Sequence, residues 1–308
     1  MMNNTIKNHS KKEIHMPVTV IGLGYMGQAL AGAFLKGGHP TTIWNRSANK
    51  ADDLVKNGAV RAEKLADAVS ATSVVVVSVS TYEVMYELLD PIGDNLSGRV
   101  IINLTSGTPE DARKAAKWAA KNGAKYLEGA IMAVPQMIGS PEALIIFGGP
   151  QDLFKAHEPI LKILGGNITY LSEDPGVPML YDVAMLSMLY GATHSWLHAN
   201  ALMRTANISA SEFQPYASAW FNNVITPILT DLDQARALDE ADYATEGYNL
   251  KINQSSIGNI LKASRELDIV FDWLTPIKAI YDQLVEEGYG DDNPLRIFER
   301  MKHQRNER

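Results

Sequence analysis

Cysteine is absent from the 308 residues of this chain, and its absence removes several kinds of chemistry. Disulfide bonds, thiolate nucleophiles and zinc sites built on cysteine are all excluded. Basic residues are also outnumbered, because 28 lysines and arginines stand against 35 aspartates and glutamates and leave a net charge of −7. Since the chain has no long basic patch either, nucleic acid is not an expected partner.

Charge is nearly missing from one long segment. Asp182 is the only formally charged residue within residues 177–203. A segment that is apolar on nearly every side predicts a buried helix. Its hydroxyl, imidazole and amide side chains are too numerous for a simple membrane span, so a membrane is not an expected partner.

The isolation of Asp182 has two interpretations. A carboxylate removed from water must be paired, protonated or used in chemistry. In the structural interpretation, Asp182 caps the start of the helix or pairs with a distant arginine. In the functional interpretation, it supplies an acid or a counter-charge in a binding pocket. The pattern of residues upstream favours the functional interpretation.

A nucleotide-binding pattern lies near the N-terminus. Residues 17–21 form a short β-branched run, and residues 28–36 have helical spacing. The Gly-x-Gly-x-x-Gly turn between them has the strand–turn–helix context that dinucleotide binding requires. Its glycines permit a tight turn, a close approach of backbone amides to a pyrophosphate, and packing of helix on strand. The predicted cofactor contacts are Gly22, Leu23, Gly24, Tyr25, Met26 and Gly27.

The end of the second expected strand, residues 40–44, distinguishes NADH from NADPH. A site for NADH offers a carboxylate near this point, but the chain has none until Asp52. Arg46 stands there instead, and a guanidinium can stack on adenine and grip a 2′-phosphate. The pattern therefore favours NADPH, although a solvated basic turn is the alternative. The expected contacts are Asn45, Arg46, Ser47 and Lys50.

Strand-like and helical segments alternate through the first half of the chain. Apolar runs suited to a parallel sheet covered on both faces occur at residues 73–78, 99–104, 125–128, 143–147 and 167–171. Beyond Pro178 no convincing strand remains. We predict an α/β Rossmann domain over residues 17–176 and an all-α domain over residues 177–308, joined by a long interdomain helix. Residues 1–16 lack the apolar core of a signal peptide and are expected to be a disordered extension.

Two further loops should reach the edge of the sheet where open α/β folds bind ligands. The loop of residues 78–81, which includes Val79, Ser80 and Thr81, follows the third expected strand and should pass under the nicotinamide ribose. Thr105 and Ser106 follow the fourth strand and should lie near the nicotinamide, with Ser106 as a residue of the catalytic site. An ordinary helix cap is the alternative role for any one of these hydroxyls.

These motifs together resemble the β-hydroxyacid dehydrogenase superfamily and, within it, the imine reductases and reductive aminases. The resemblance runs from about residue 17 to the C-terminus and rests on residues 22–27, 45–47, 103–109 and 129–135. Two departures separate this chain from the hydroxyacid dehydrogenases. Asp182 stands at the position of their acid/base lysine and Met185 at that of its supporting asparagine. Residues 128–134 also lack the serine, and the glycines that follow it, with which that family binds a substrate carboxylate.

The resemblance implies NADPH-dependent reduction of cyclic imines or iminium ions. Asp182 would repel a hydroxy acid anion and attract a protonated imine, either as proton donor or as counter-ion. Burial raises a carboxyl pKa and would suit the donor, but the residues alone leave both roles open. Reductive aminases resembling this chain usually carry Asn at the position of Ser106, so reductive amination of free ketones is not implied.

Other positions in the helical domain also enter through the resemblance. Tyr190 lies about 12 Å from Asp182 along the helix, at ~1.5 Å per residue, and would be a third catalytic residue near the substrate nitrogen. Its alternative role is packing in the core with a satisfied hydroxyl. Trp220, Asn253 and Gln254 are candidates for the pocket wall.

Members of this family form intertwined dimers, so a homodimer in which the partner covers residues 177–203 is expected. A helix buried by its own chain is the alternative. We expect a cytoplasmic enzyme that binds a small molecule. Two other functions stay open, namely a hydroxyacid-type dehydrogenase of undefined substrate and a protein that binds NADPH without turnover.

Overall fold

The computed structural model describes residues 15–270 and 272–302. The chain divides between Met188 and Leu189 into two compact units. This division falls inside the long helix that was expected to join two domains, rather than at its first residue. Residues 1–14, which make up most of the expected N-terminal extension, lie outside the described residues.

The first unit is built on one sheet of eight strands in the order β3-β2-β1-β4-β5-β6-β7-β8. The strands are β1 Val18–Ile21, β2 Thr41–Trp44, β3 Val60–Arg61, β4 Val74–Val77, β5 Val100–Asn103, β6 Lys125–Met132, β7 Leu144–Gly148 and β8 Asn167–Ser172. The expected α/β Rossmann architecture is confirmed. The short strand β3 was not expected, because both of its residues are exposed and form no apolar run.

Helices connect these strands and cover the sheet. They are α1 Tyr25–Lys36, α2 Asp52–Lys56, α3 Leu65–Ala71, α4 Tyr82–Leu89, α5 Gly93–Leu96, α6 Pro109–Lys121 and α7 Gln151–Leu161. The start of α6 is a capping box, in which Thr108 accepts a hydrogen bond from the backbone of Asp111 and the Asp111 side chain accepts one from the backbone of Thr108. Pro109 at the first helical position completes this start, because its missing N–H needs no partner there.

The sheet is parallel except for one pair. Strand β7 runs antiparallel to β6, whereas the sequence predicted a parallel sheet. Residues 133–143 connect these two strands, and a link of this length is too short for the crossover that a parallel pair requires. The sheet is therefore parallel from β3 to β6 and again between β7 and β8.

Apolar side chains pack on both faces of the sheet. In β4, Val74 and Val76 belong to one core cluster, while Val75 and Val77 belong to the other. All four valines are fully buried. This arrangement follows from the alternation of side chains along a strand, and it explains why an uninterrupted apolar run marks a strand covered on both sides.

The long helix α8 spans Gly176–Thr205 and crosses the division between the units. In the described part of the second unit, every regular element is helical. After α8 come α9 Ala210–Trp220, α10 Thr226–Thr230, α11 Leu232–Glu240, α12 Leu250–Glu266, α13 Leu274–Leu284 and α14 Phe298–Met301, with π-helical turns at Phe221–Ile225 and Val285–Tyr289. The core of this unit is small and contains Leu250, Tyr281, Leu284 and Ile297.

Helix α8 is not buried by its own chain. Leu189 is 56% exposed and Tyr190 is 58% exposed. The alternative in which the chain covers this helix by itself is therefore wrong, and burial of the helix in a dimer stays a prediction. Among helices within residues 15–270 and 272–302, none has the length and apolar character needed to cross a membrane.

Candidate active site

The glycine turn after β1 has the geometry that a dinucleotide site needs. Gly22 has φ +91°, and a Cβ there would lie 2.1 Å from the Ser78 carbonyl oxygen. A Cβ on Gly27 would lie 1.9 Å from the Gly22 carbonyl oxygen. Gly24 has no neighbouring atom within 4 Å of such a Cβ, so its side faces open space. The first and third glycines therefore allow close packing, and the second leaves room for a ligand beside the start of α1.

A cavity of about 370 Å³ opens next to this turn. It is lined by Gly22, Gly24, Tyr25, Met26, Gly27, Trp44, Asn45, Arg46, Ser47, Lys50, Ser78, Val79, Ser80, Val84 and Leu88. The structure thus brings together most of the positions predicted to bind the cofactor. Ser78 belongs to the loop that was expected at the nicotinamide ribose. Trp44, Val84 and Leu88 were not predicted, although Trp44 stands at the end of β2 beside residues that were.

Asn45 links the glycine turn to the basic turn after β2. Its Oδ1 accepts a hydrogen bond of 2.9 Å from the backbone of Leu23, and its Nδ2 donates one of 3.0 Å to the Ser47 carbonyl. The side chains of Arg46 and Lys50 are exposed, and neither forms a salt bridge within the described ranges. Two cations at the cavity rim are therefore available to an anion.

Three predicted contacts lie outside the lining of this cavity. Leu23 is fully buried, and its N–H is already bound to Asn45. Thr81 caps α4 by accepting a hydrogen bond of 3.3 Å from the backbone of Val84. Thr105 is fully buried, and its Oγ1 accepts a hydrogen bond of 3.2 Å from the backbone of Val79. Leu23 and Thr105 hold the loops of the site in place. Thr81 caps a helix, which was the alternative to its predicted cofactor contact.

Asp182 lies near the start of α8 and belongs to the first unit. Only 4% of its surface is exposed, and its Oδ2 has no hydrogen-bond partner in the part of the chain that the structure describes. Burial raises the pKa of this carboxyl, and a hydrogen-bonding interaction with the Ser106 side chain offsets part of that rise. The structure therefore brings Asp182 and Ser106 together, as expected of two residues of one site.

The structure argues against the structural interpretation of Asp182. No salt bridge to Asp182 exists among the described residues, and its carboxyl lies past the first turn of α8. An unpaired buried oxygen costs stability unless a ligand or water satisfies it. Such an atom is a frequent mark of a functional site.

The remaining candidates lie in the second unit. Tyr190 follows Asp182 on the same helix and has a largely exposed side chain. Trp220 is also exposed. Asn253 donates a hydrogen bond of 3.3 Å to the Tyr281 hydroxyl, and Gln254 donates one of 2.7 Å to Asp282. Both amides are therefore occupied within that unit.

Sequence reasoning missed a buried carboxyl in β6. Glu128 is fully buried, and burial raises its pKa to about 8 against the opposing effect of its hydrogen bonds. The available signal was an acidic residue inside a strand whose next residues are all apolar or glycine.

Comparisons with known proteins agree with this geometry. Residues 17–172 match the "NAD binding domain of 6-phosphogluconate dehydrogenase", and residues 174–303 match the "NADPH-dependent reductive aminase-like, C-terminal domain". The chain is 36% identical over 289 residues to an NADPH-dependent reductive aminase of Aspergillus oryzae, covering 92% of this chain and 97% of that protein.

Two solved structures show the same relationship. An imine reductase from Myxococcus stipitatus in complex with NADP+ is 30% identical with a TM-score of 0.88, over 93% of this chain and 100% of that one. An imine reductase from Aspergillus terreus in complex with NADPH4 and dibenz[c,e]azepine is 35% identical with a TM-score of 0.83, over 92% of this chain and 99% of that one. The expected resemblance is confirmed, and the chain belongs to the NADPH-dependent imine reductase and reductive aminase family.

Proposed function

We propose that this protein is an NADPH-dependent oxidoreductase that reduces cyclic imines and iminium ions to amines, with Asp182 serving the substrate nitrogen. The observation that carries the proposal is the buried Asp182 carboxyl, which has one unpaired oxygen and faces Ser106. A negative or proton-bearing group of this kind suits a nitrogen that is positive or becomes so. It does not suit a carboxylate substrate.

The residues around the glycine turn fit NADPH. Gly22, Gly24 and Gly27 shape a cradle for the pyrophosphate beside the N-terminus of α1, whose Gly24 cap uses no side chain. Arg46 holds the 2′-phosphate, with Asn45, Ser47 and Lys50 as further donors. When bound, NADPH supplies the hydride that adds to the C=N carbon.

Val79 and Ser80 line the same cavity and form the next part of the cofactor site. The Thr105 hydroxyl holds Val79 in place by accepting a hydrogen bond from the backbone N–H of Val79. Tyr25 and Met26 line the cavity at the first turn of α1. In this arrangement Leu23 and Asn45 act together to join the pyrophosphate cradle to the phosphate-binding turn.

Asp182 can act in either of two protonation states. Because burial raises its pKa, the carboxyl keeps its proton to a higher pH than an exposed aspartate and can donate it to a neutral imine. In its ionised form it balances the charge of an iminium ion. The Ser106 hydroxyl interacts with the carboxyl and favours the ionised form. Tyr190 is the second proton-bearing group that we assign to the substrate.

A turnover assay tests this function. We expect NADPH oxidation, followed by absorbance, with a small cyclic imine such as 2-methyl-1-pyrroline, and no comparable reduction of NADP+ with 3-hydroxy acids. The reverse result would identify a hydroxyacid-type dehydrogenase. Tight NADPH binding without turnover of any C=N or C=O compound would identify a non-catalytic binding protein.

We also propose that the protein is a homodimer and that its partner subunit covers α8. The support is the exposed apolar surface of this helix, which includes Leu180, Met188, Leu189, Tyr190 and Leu197. Exposed apolar surface of this extent marks an interaction site. A cytoplasmic location is part of the same proposal, because the reaction consumes a reduced cofactor that cells maintain internally.

A further inference from the structure

A group of buried polar side chains lies beside the loop that carries Ser106, and the chemistry described above does not use it. Its centre is Glu128 in β6. Tyr126 precedes Glu128 by two residues and so projects from the same face of the sheet, and Asn103 of β5 stands opposite Glu128 in the parallel register. Tyr82, from the first turn of α4, interacts with all three. None of the four is more than 4% exposed.

Hydrogen bonds connect Glu128 to the loop between β5 and α6. Asn103 donates through Nδ2 to the two carboxyl oxygens of Glu128, at 3.1 and 3.4 Å. The Oδ1 of the same amide accepts a hydrogen bond of 3.3 Å from the backbone of Thr105. Thr105 in turn accepts the bond from Val79. Because an amide donates at one end and accepts at the other, the carboxyl of Glu128 determines which end of Asn103 faces Thr105.

Tyr82 supports the same loop from a second direction. A Cβ on Gly107 would lie 2.4 Å from the Tyr82 ring, so the ring packs directly against the backbone next to Ser106. The Tyr126 hydroxyl donates a hydrogen bond to Glu128. The Tyr82 hydroxyl is buried without a hydrogen-bond partner of good geometry among the described residues. The loop is therefore supported by Asn103 and by Tyr82, and both of these side chains interact with Glu128.

A carboxyl is not the least costly acceptor at this point. Burial raises the pKa of Glu128 to about 8, which means that ionisation is unfavourable here. An amide could accept the same bond from Asn103 without this cost. Glu128 supplies the loop with an acceptor for the Nδ2 of Asn103. The Oδ1 of the same amide accepts the hydrogen bond from the backbone of Thr105.

We propose that Glu128 is a positioning residue for imine reduction: it orients Asn103, which sets the backbone of residues 104–107 and thereby the Ser106 hydroxyl beside Asp182. This inference rests on the proposed role of Asp182. It gives the buried group a function in catalysis without contact between Glu128 and the substrate.

Three variants separate this role from a general effect on folding. Glu128→Gln keeps an oxygen that accepts from Asn103, whereas Glu128→Leu has similar size and no acceptor. Thr19→Val is the matched control, because Thr19 is a fully buried polar residue of the same sheet whose hydroxyl donates a hydrogen bond of 2.8 Å to the Ala68 carbonyl and has no bond to the loop. For each variant, kcat and KM for a cyclic imine, the unfolding temperature, and hydrogen–deuterium exchange at the amides of Thr105 and Val79 are measured.

We expect Glu128→Leu to lower kcat by about 10–100-fold with little change in KM, since a small misplacement of a catalytic group has an effect of this size. Exchange at the Thr105 and Val79 amides should rise by roughly tenfold or more, because local opening becomes easier. Glu128→Gln should restore both properties to within about threefold of the original protein. Thr19→Val should lower the unfolding temperature and leave kcat and both amides unchanged.

Two outcomes would overturn the proposal. The first is a Glu128→Leu protein that is folded and retains normal kcat and normal exchange. The second is a Glu128→Gln protein as slow as Glu128→Leu, since an acceptor oxygen would then not be what the loop needs. The exchange measurement requires no turnover. If the protein fails to reduce imines yet shows the expected exchange pattern, the proposed function is refuted while the bridge from Glu128 to the loop is supported.

Discussion

The sheet of the first unit and helix α8 are both rich in apolar residues, but they place these residues differently. Every residue of β4 is fully buried, whereas Leu189 and Tyr190 of α8 are more than half exposed. The strands complete their core within one chain. Helix α8 leaves much of its apolar surface exposed. Asp182 differs from these exposed apolar residues because its carboxyl is buried. An apolar pattern thus predicts that a surface will be covered, and the structure decides whether the same chain covers it.

The largest expected effect concerns Asp182. Asp182→Asn keeps the shape of the side chain and removes both the proton and the charge, so kcat/KM for a neutral cyclic imine should fall by about 10²–10⁴-fold. NADPH affinity should barely change. Steady-state kinetics and a fluorescence titration with NADPH measure the two quantities. Comparison with a permanently charged N-alkyl iminium separates the roles, because a proton donor is dispensable for that substrate and a counter-ion is not.

If folded Asp182→Asn protein remains fully active on both substrates, Asp182 is structural. The acid would then be Tyr190 or water. An unfolding measurement on Asp182→Asn is the control, because a loss of packing near a buried carboxyl would mimic a catalytic loss.

The second effect tests the contrast between sheet and helix directly. Ile101 of β5 is fully buried, so Ile101→Ala should lower the free energy of unfolding by about 2–5 kcal/mol through lost packing and a cavity. Leu189→Ala on α8 should leave the unfolding of an isolated subunit nearly unchanged and should weaken subunit association. Chemical denaturation and light scattering over a dilution series measure these effects.

The proposed dimer is tested by the same dilution series. A dimer that persists at nanomolar concentration and dissociates more readily after Leu189→Ala is the expected result. A fully active monomer, unaffected by Leu189→Ala, would contradict covering of α8 by a partner subunit.

The third effect is at the cofactor site. Arg46→Ala should raise the dissociation constant for NADPH by about 10–100-fold, because charge-assisted contacts to phosphate are each worth roughly 1.5–3 kcal/mol. NADH affinity should change little. Arg61→Ala is the matched control, since Arg61 is paired with Asp52 and does not line the cavity. Equal losses for the two cofactors would show that Arg46 does not read the phosphate.

The smallest effect, taken per pH unit, is a pH dependence of stability in the sheet. The folded protein keeps the proton of Glu128 up to a pKa of about 8, while the unfolded chain releases it near the ordinary value of 4.5. Between these values the folded state binds more protons, so stability falls as pH rises, by at most about 1.4 kcal/mol per pH unit. Glu128→Gln cannot titrate. Its unfolding free energy should lack this decline, and parallel slopes for the two proteins from pH 5 to 7.5 would contradict the buried carboxyl as its source.

Local patterns predicted much of the fold and of the cofactor site. The glycine spacing predicted the turn at residues 22–27, and the lack of a carboxylate after β2 pointed to Arg46 at the cavity rim. These are short-range features, in which neighbours in sequence are neighbours in space. The antiparallel direction of β7 and the two-residue strand β3 were missed, because a short link and a paired edge give no apolar signal of their own.

The buried cluster around Glu128 shows the limit most clearly. Asn103 and Glu128 are 25 residues apart, and Tyr82 lies on helix α4, before the strand that carries Asn103. Nothing in the spacing of these residues indicates that they meet. Their proximity follows from the order of strands in the sheet, which only long-range packing determines.

The sequence by itself determined the class of fold, the nucleotide turn, the preference for NADPH and the unusual isolation of Asp182, because each depends on residue types within one short segment. Only the tertiary structure decided that Ser106 faces Asp182, that Thr105 and Leu23 support the cofactor cavity from within rather than line it, and that α8 is not covered by its own chain. Those properties depend on which segments pack together, and the burial and pKa of a side chain are set by all of its neighbours in space.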